Sequence, residues 1–157
     1  MVNGTEHREC EFRYDKSPEA EETLRAWKDL AKEFDPPLRC YVKDVDSYLR
    51  KISFGAYSVI AMHAASGAVV GCVSFYANDE ISKHAYITSI AVKSGYTGRG
   101  IARVLLGLSM DMSRDRGMRS IGLRVNSGNA RAVSLYSKAG FACIGAQDEW
   151  MEMRCNL

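Results

Sequence analysis

The stretch VKSGYTGRGIA, residues 92–102, combines glycine with positive charge in a way that suits an anionic ligand. It contains Gly95, Gly98 and Gly100 and lies between the apolar run YITSIAV and the start of an amphipathic run. Glycine turns the chain easily or lets the backbone approach a ligand closely. Unpaired N–H groups at a helix N-terminus also attract phosphate. The loop alone therefore leaves two interpretations open, a plain turn and a phosphate cradle.

Two common phosphate-binding loops do not match this stretch. A Walker loop requires Lys-Ser or Lys-Thr after its last glycine, and the sequence has no such motif. A dinucleotide fingerprint requires a third glycine three residues after Gly100, where the chain has Arg103. A phosphate ligand here would therefore be bound by a different kind of loop.

A second group of residues shares one face of a predicted helix over residues 129–140. Asn129, Ala132 and Tyr136 are spaced by three and four, so their side chains point the same way. Asn129 is a favourable N-cap, and Tyr136 has the spacing of a core aromatic residue. Both residues can therefore have a purely structural role, and only their place in a larger pattern indicates chemistry.

Taken together, the two stretches resemble the GNAT N-acetyltransferase superfamily. The family's loop pattern, Gln/Arg-x-x-Gly-x-Gly/Ala, matches at Gly100 and Ala102, whereas Thr97 stands at its first position. The second pattern is Asn-x-x-Ala-x-x-x-Tyr-x-x-x-Gly-Phe. It is matched by Asn129, Ala132, Tyr136, Gly140 and Phe141. The resemblance is strong over about residues 68–141.

This resemblance implies transfer of an acetyl group from acetyl-CoA to an amine. The backbone of Ile90, Ala91 and Val92 would hold the pantetheine arm and polarise the thioester. Tyr136 would be the general acid for the leaving thiolate, since an ordinary phenol has a pKa of about 10, near that of an alkyl thiol. The remaining cofactor-binding residues implied are Thr97, Gly98, Arg99, Gly100, Ile101, Ala102, Arg103, Asn129 and Ala132.

The residues that would face the acceptor amine are less well defined. His84 is the candidate base, because its reference pKa of about 6.5 suits proton transfer. Tyr76, Asp79 and Tyr86 are candidates for the acceptor pocket, with a solvated turn or a core position as the alternative for each. The acceptor itself is expected to be a primary amine of a small molecule, such as an amino sugar or an amino-acid-like metabolite. A protein N-terminus or lysine is the alternative substrate, and a non-catalytic CoA-binding sensor or interaction domain is the alternative class.

The pattern of apolar residues predicts an α/β fold with a mixed sheet, helices on both faces and the order (β)ααβββαβαββ. The resemblance implies that this sheet is GNAT-like and mostly antiparallel. Ser17 is predicted to cap the first helix, with Pro18 in its first position. A hairpin is expected over 56–77, and parallel pairing is expected across the two helices at 101–116 and 129–139. The other predicted elements are a short edge strand at 10–16, a helix at 42–52, and strands at 84–92 and 120–125 followed by two closing strands.

Composition narrows the class of protein. A chain of 157 residues with 46% hydrophobic and 25% charged residues is typical of one globular domain, here residues 1–157. Five cysteines without a C-x-x-C pair favour reduced thiols in the cytoplasm, with no metal site. A net charge of +2 does not indicate nucleic acid, and neither a secretory signal nor a membrane helix is expected. The molecule is expected to be a monomer or a homodimer.

Overall fold

The computed structural model describes residues 10–157. Residues 1–9 lie outside the described residues, and they include most of the polar start for which no secretory signal is expected. The described strands are β1 (Phe12–Asp15), β2 (Tyr57–His63), β3 (Val69–Tyr76), β4 (His84–Val92), β5 (Ser120–Asn126), β6 (Ala142–Gln147) and β7 (Trp150–Asn156). The α-helices are α1 (Ala20–Leu30), α2 (Val45–Gly55), α3 (Ile101–Asp115) and α4 (Ala130–Lys138).

The strands form one sheet in the order β1-β2-β3-β4-β5-β7-β6. Every neighbouring pair is antiparallel except β4 and β5, which are parallel and are joined through α3. This confirms the mixed, mostly antiparallel α/β fold. The parallel pairing expected across α4 is wrong, because β7 lies between β5 and β6. The hairpin formed by β6 and β7 turns the last strand back against β5, where it pairs along seven residues.

Helices cover both faces of the sheet, so the inner strands are buried on both sides and consist largely of apolar residues. On one face, α1 and α2 pack Trp27, Leu30 and Leu49 against the strands. On the other face, α3 and α4 contribute a second cluster that includes Leu105 and Tyr136.

The first helix begins later than predicted. Its N-cap is Glu19 and not Ser17. The Ser17 N–H donates to Oδ1 of Asp15 at 3.0 Å, so Ser17 lies in a turn that precedes the helix. The second helix begins after Asp44, whose Oδ1 accepts from the Ser47 N–H at 3.0 Å. An aspartate at this position is a favourable cap that helical periodicity alone does not reveal.

Among residues 10–157, none of the helices combines the length and the apolar character needed to cross a lipid bilayer.

Candidate active site

The site begins where two central strands part. β4 and β5 pair at three positions, His84 with Ser120, Ala85 with Ile121 and Tyr86 with Gly122. Beyond Gly122, β5 continues to pair with β7 on its other side. The C-terminal half of β4 therefore has a strand neighbour only in β3, and its other edge faces a gap.

The backbone of β4 presents alternate residues to this gap. The Lys93 N–H donates to the carbonyl of Val70 on β3 at 2.8 Å. In an antiparallel pair, residues that point both backbone groups at the partner alternate with residues that point them away. Ala91 consequently faces β3, whereas Ile90 and Val92 direct their N–H and C=O groups into the gap.

A bulge at Thr88 makes this arrangement possible. Ser74 on β3 pairs with Ser89, and the next residue, Phe75, pairs with Ile87, so Thr88 is the extra residue on β4. The bulge reverses the alternation of side chains: Ile87 packs in the cluster with α3, whereas Ala91 packs in the cluster with α1 and α2. An uninterrupted strand would place residues 87 and 91 on the same face.

A cavity of about 140 Å³ lies between the parted strands. β4 contributes Ile87 through Ile90 to its wall, and β5 contributes Leu123 through Asn126. The other lining residues are Asn129, Ala132 and Tyr136 from α4, with Glu33, Phe34, Asp35, Tyr41 and Trp150. The gap between the strands and the predicted helix face therefore meet in one cavity.

Tyr136 is the titratable group at the inner wall of this cavity. Its side chain is 7% exposed and packs on Phe141, with ring centroids 5.9 Å apart. Burial raises the pKa of the Tyr136 phenol above its ordinary value of 10. Among the described residues, none forms a hydrogen bond with its hydroxyl, and the residue lines the cavity.

Asn129 joins the two sides of the cavity. Its Oδ1 accepts from the Ala132 N–H at 3.1 Å, which confirms the predicted N-cap of α4. Its Nδ2 donates to the carbonyl of Asp35 at 3.2 Å, in the segment that follows α1. One side chain thus caps a helix and ties the opposite rim to it.

The glycine loop leads directly into α3. Gly98 and Gly100 have φ of 79° and 81°, a conformation that favours glycine, and a Cβ on either would meet no atom within 4 Å. Gly100 occupies the N-cap of α3 without a side-chain cap. The first N–H groups of the helix, at Ile101, Ala102 and Arg103, therefore have no side-chain cap from residue 100. Uncapped N–H groups at a helix N-terminus can accept a phosphate.

The positive charges of the loop are partly engaged elsewhere. Lys93 pairs with Asp29 at 3.0 Å, and Arg99 pairs with Glu11 at 2.7 Å while lying over the Tyr96 ring. Within residues 10–157, Arg103 has no ion-pair partner. Of these side chains, Arg103 is the one whose charge is available to an anion at the start of α3.

His84 and Asp79 lie outside the cavity lining. His84 is at the opposite end of β4 from Ile90, with its Nδ1 hydrogen-bonded to Oγ of Ser120 at 2.8 Å. Burial, and secondarily the charge of Arg154, lower the pKa of His84. Asp79 accepts hydrogen bonds from Ile81 and Ser82 within its own turn. The structure does not bring either residue to the cavity.

Tyr76 and Tyr86 also lie beside the cavity and not in its wall. They pair across β3 and β4, on the face that α2 covers. Burial raises the pKa of each phenol, and the nearby Tyr48 of α2 contributes to both increases. They therefore belong to a group of tyrosines around the bulge.

Sequence reasoning missed part of the outer rim. The rings of Tyr41 and Trp150 meet edge to face, with centroids 5.0 Å apart, and the Arg124 guanidinium lies 5.3 Å from the Trp150 centroid. Arg124 also lies 3.7 Å from Glu152, its register partner on β7. Burial raises the pKa of the Tyr41 phenol to about 12. Local patterns do not reveal this group, since Tyr41 and Trp150 are far apart in sequence and Arg124 meets Glu152 only through the register of β5 with β7.

A larger groove, of about 440 Å³, lies between α1 and the strands β1 to β3. Its wall includes Ile60, Met62 and Val69, with charged residues such as Arg25 and Asp29 at the edge. It contains no residue of α4 or β5. The smaller cavity is therefore the candidate site, because the parted strands and Tyr136 meet there.

Comparison with known proteins decides the family. The model of the acetyltransferase (GNAT) family matches residues 5–141. The chain belongs to this family. The match includes the glycine loop and the helix that carries Tyr136, the two stretches in which the resemblance was found.

Curated GNAT relatives act on different acceptors. Over 59 residues the chain is 41% identical to a streptothricin acetyltransferase of Streptomyces lavendulae, a match that covers 38% of this chain and 31% of the relative. Over 56 residues it is 38% identical to N-alpha-acetyltransferase 30 of Schizosaccharomyces pombe, covering 36% of this chain and 37% of that one. The chain thus spans well under half the length of these two relatives.

Solved structures share the fold along almost the entire chain. The PaiA N-acetyltransferase of Thermoplasma acidophilum, solved in complex with coenzyme A, superposes with a TM-score of 0.71 at 16% identity. That match covers 93% of this chain and 99% of the other. The described chain therefore shares the fold of this acetyltransferase over most of its length.

Proposed function

We propose that this GNAT protein transfers the acetyl group of acetyl-CoA to a primary amine of a small molecule, by direct attack in a ternary complex. The observation that carries the proposal is the gap between β4 and β5, which has unpaired backbone groups on one edge and Tyr136 at its inner wall. The glycine loop at the end of β4 leads from this gap to the N-terminus of α3.

The chain supplies a continuous binding surface for CoA. The N–H groups of Ile101, Ala102 and Arg103 at the start of α3 bind the pyrophosphate, with Gly98 and Gly100 leaving room for its approach. Thr97 and Arg99 complete the loop through their backbone. Ile90 and Val92 bind the pantetheine arm as an added strand, and Ala132 leaves space for it. When bound, acetyl-CoA supplies the acetyl group as a thioester.

Two groups of the chain serve the transfer itself. A backbone N–H of β4 in the gap, that of Ile90, donates to the thioester oxygen as negative charge develops there. Such donors are worth about 2.7–4 kcal/mol in other enzymes. Tyr136 donates its proton to the departing sulfur as the new C–N bond forms and the C–S bond breaks. The proton lost by the amine passes to water at the open rim, and a proton from water then restores the Tyr136 phenol, so the number of protons balances.

The size of the cavity and its rim favour a small acceptor. Tyr41 and Trp150 form an aromatic edge, and the carboxylates of Glu33 and Asp35 are available to attract an ammonium group. The streptothricin acetyltransferase among the relatives is consistent with a small-molecule acceptor. The N-alpha-acetyltransferase supports the alternative, a protein N-terminus. The proposal for a small amine rests on the cavity and not on either name.

The test is release of free thiol from acetyl-CoA in the presence of a panel of amines. The panel contains amino sugars, amino acids, polyamines and short peptides, and acetylated products are identified by mass. Amine-dependent thiol release with a small-molecule product supports the proposal. Products only from peptides would support the alternative acceptor, and CoA binding without thiol release from any amine would support a sensor domain.

A further inference from the structure

Tyr48, on α2, reaches the bulge in β4 with its hydroxyl. The oxygen lies 3.2 Å from the Thr88 carbonyl oxygen, 3.0 Å from Oγ1 of Thr88 and 2.7 Å from Oγ of Ser89. The side chain is half-buried, and no other described residue outside β4 contacts the bulge through a side-chain hydrogen bond of this kind. Three polar atoms of two consecutive residues thus converge on one hydroxyl.

The hydrogen bonds of this hydroxyl are fully used. A phenol has one proton to donate and two lone pairs to accept with. The Thr88 carbonyl can only accept, so Tyr48 donates to it and accepts from the hydroxyls of Thr88 and Ser89. Tyr48 has no proton left for the reaction, in contrast to Tyr136.

The Thr88 carbonyl needs this partner. β5 leaves β4 after the pair of Tyr86 with Gly122, so a carbonyl beyond that point has lost the neighbouring strand that would supply an N–H. An unpaired carbonyl inside a protein is costly, and here it would lie in the wall of the cavity. The Tyr48 hydroxyl takes the place of the missing strand.

We propose that Tyr48 is a positioning residue for acetyl transfer, which holds the Thr88 bulge so that the backbone N–H groups beyond it point into the gap. The inference rests on the proposed function, and it adds to that function a residue that supports the reaction without reacting itself. The bulge sets which residues of β4 face the gap, because it shifts the alternation of the strand by one. With the bulge held, Ile90 and Val92 present their N–H groups to the thioester and the arm. With the hydroxyl removed, the Thr88 carbonyl is free to turn into the cavity, where its negative end opposes the charge that develops on the thioester oxygen.

The experiment replaces Tyr48 by Phe and measures both kinetics and backbone protection. In Tyr48→Phe we expect kcat to fall about tenfold, the effect of one hydrogen bond that matters in the transition state. The KM for acetyl-CoA should stay within about twofold, because the pyrophosphate contacts are untouched. Amide hydrogen exchange of a peptide spanning residues 86–92 should become faster, which reports on the bulge without any turnover.

Matched variants separate this role from general destabilisation. Tyr57→Phe removes an exposed phenol on β2, outside the site, and should leave kcat and exchange unchanged. Ser89→Ala removes only a hydroxyl that donates to Tyr48 and should have a smaller effect than Tyr48→Phe. An unchanged exchange rate or an unchanged kcat in Tyr48→Phe overturns the inference. A rise in the KM for acetyl-CoA as large as the fall in kcat overturns it as well. If the wild-type chain acetylates no amine, the proposed function fails, and the exchange measurement still decides whether Tyr48 holds the bulge.

Discussion

Tyr136 and Tyr48 each carry a phenol hydroxyl, but the two hydroxyls differ in their hydrogen bonds. The Tyr48 hydroxyl is held by Thr88 and Ser89, whereas that of Tyr136 has no partner among residues 10–157 and lines the cavity. Burial also raises the pKa of Tyr136, so its proton is present at neutral pH. A bound proton with no competing acceptor is what a general acid requires.

Replacing Tyr136 by Phe tests this role directly. We expect kcat to fall about 100-fold, the lower end of what a positioned general acid contributes. The affinity for CoA should hardly change, since the ring and its packing on Phe141 remain. Steady-state kinetics and a CoA titration measure the two quantities. A variant with normal turnover would show that the sulfur takes its proton from water.

The pH profile of the wild-type protein offers a second test at the same residue. Because burial raises the pKa of Tyr136 above 10, the phenol stays protonated up to at least that pH. The value of kcat/KM should therefore rise as the amine loses its proton and show no fall below about pH 10. A fall at lower pH that disappears in Tyr136→Phe would contradict this expectation.

At the scale of elements, the loop before α3 is the best-defined part of the proposed CoA site. Gly100 and Gly67 provide a matched pair, with φ of 81° and 72° and no atom within 4 Å of an added Cβ. Gly67 lies in the turn between β2 and β3 and not in the loop that leads into α3. An alanine at either position would be strained by the positive φ, but only Gly100 belongs to the proposed contact with a ligand.

We expect Gly100→Ala and Gly67→Ala to lower the free energy of unfolding by similar amounts, about 1–2 kcal/mol. Only Gly100→Ala should weaken CoA binding, because its methyl group enters the space through which the pyrophosphate approaches. Thermal melts and CoA titrations of both variants make the comparison. Equal CoA affinity in the two variants would mean that the loop is only a turn.

Much of the fold follows from local sequence, because strands and helices differ in the period of their apolar residues. β4 and α3 were predicted within a residue or two, as was the N-cap at Asn129. The cap at Ser17 was wrong, since Ser17 lies in a turn closed by Asp15 and the helix begins after Glu19, which periodicity does not show.

The candidate site could be predicted only in part. Tyr136 and the glycines were identifiable because they stand in local patterns. The bulge at Thr88 was not, since the change of face appears only in the pairing of β4 with β3. Tyr41, Tyr48 and Arg124 were missed as members of the site because they reach it through contacts between elements distant in the chain.

At the scale of the whole molecule, the sheet consists of two parts. β1 to β4 form a continuous antiparallel unit, and β5, β7 and β6 form another. Three residue pairs join β4 to β5, against seven between β5 and β7. A ligand that lies along β4 in the gap would therefore contact both parts.

We expect CoA to raise the melting temperature, because binding to the folded state adds stability that grows with the logarithm of the CoA concentration over its Kd, about 2.7 kcal/mol at 100 times Kd. The added protection from hydrogen exchange should concentrate in residues 87–92 and at the start of α3. Thermal melts and exchange mapping with and without CoA provide the measurement. Protection spread over the larger groove at α1 would place the ligand elsewhere.

The short junction between β4 and β5 also governs how the molecule fluctuates. Separating these two strands breaks fewer backbone hydrogen bonds than separating any other inner pair, so opening there requires less free energy. The line of weakest cohesion in the sheet thus coincides with the cleft proposed for the cofactor. Thermal motion would then widen the same cleft through which CoA is proposed to enter and leave. A mutation that extended the pairing of β4 with β5 would make the sheet more rigid and would close the proposed site.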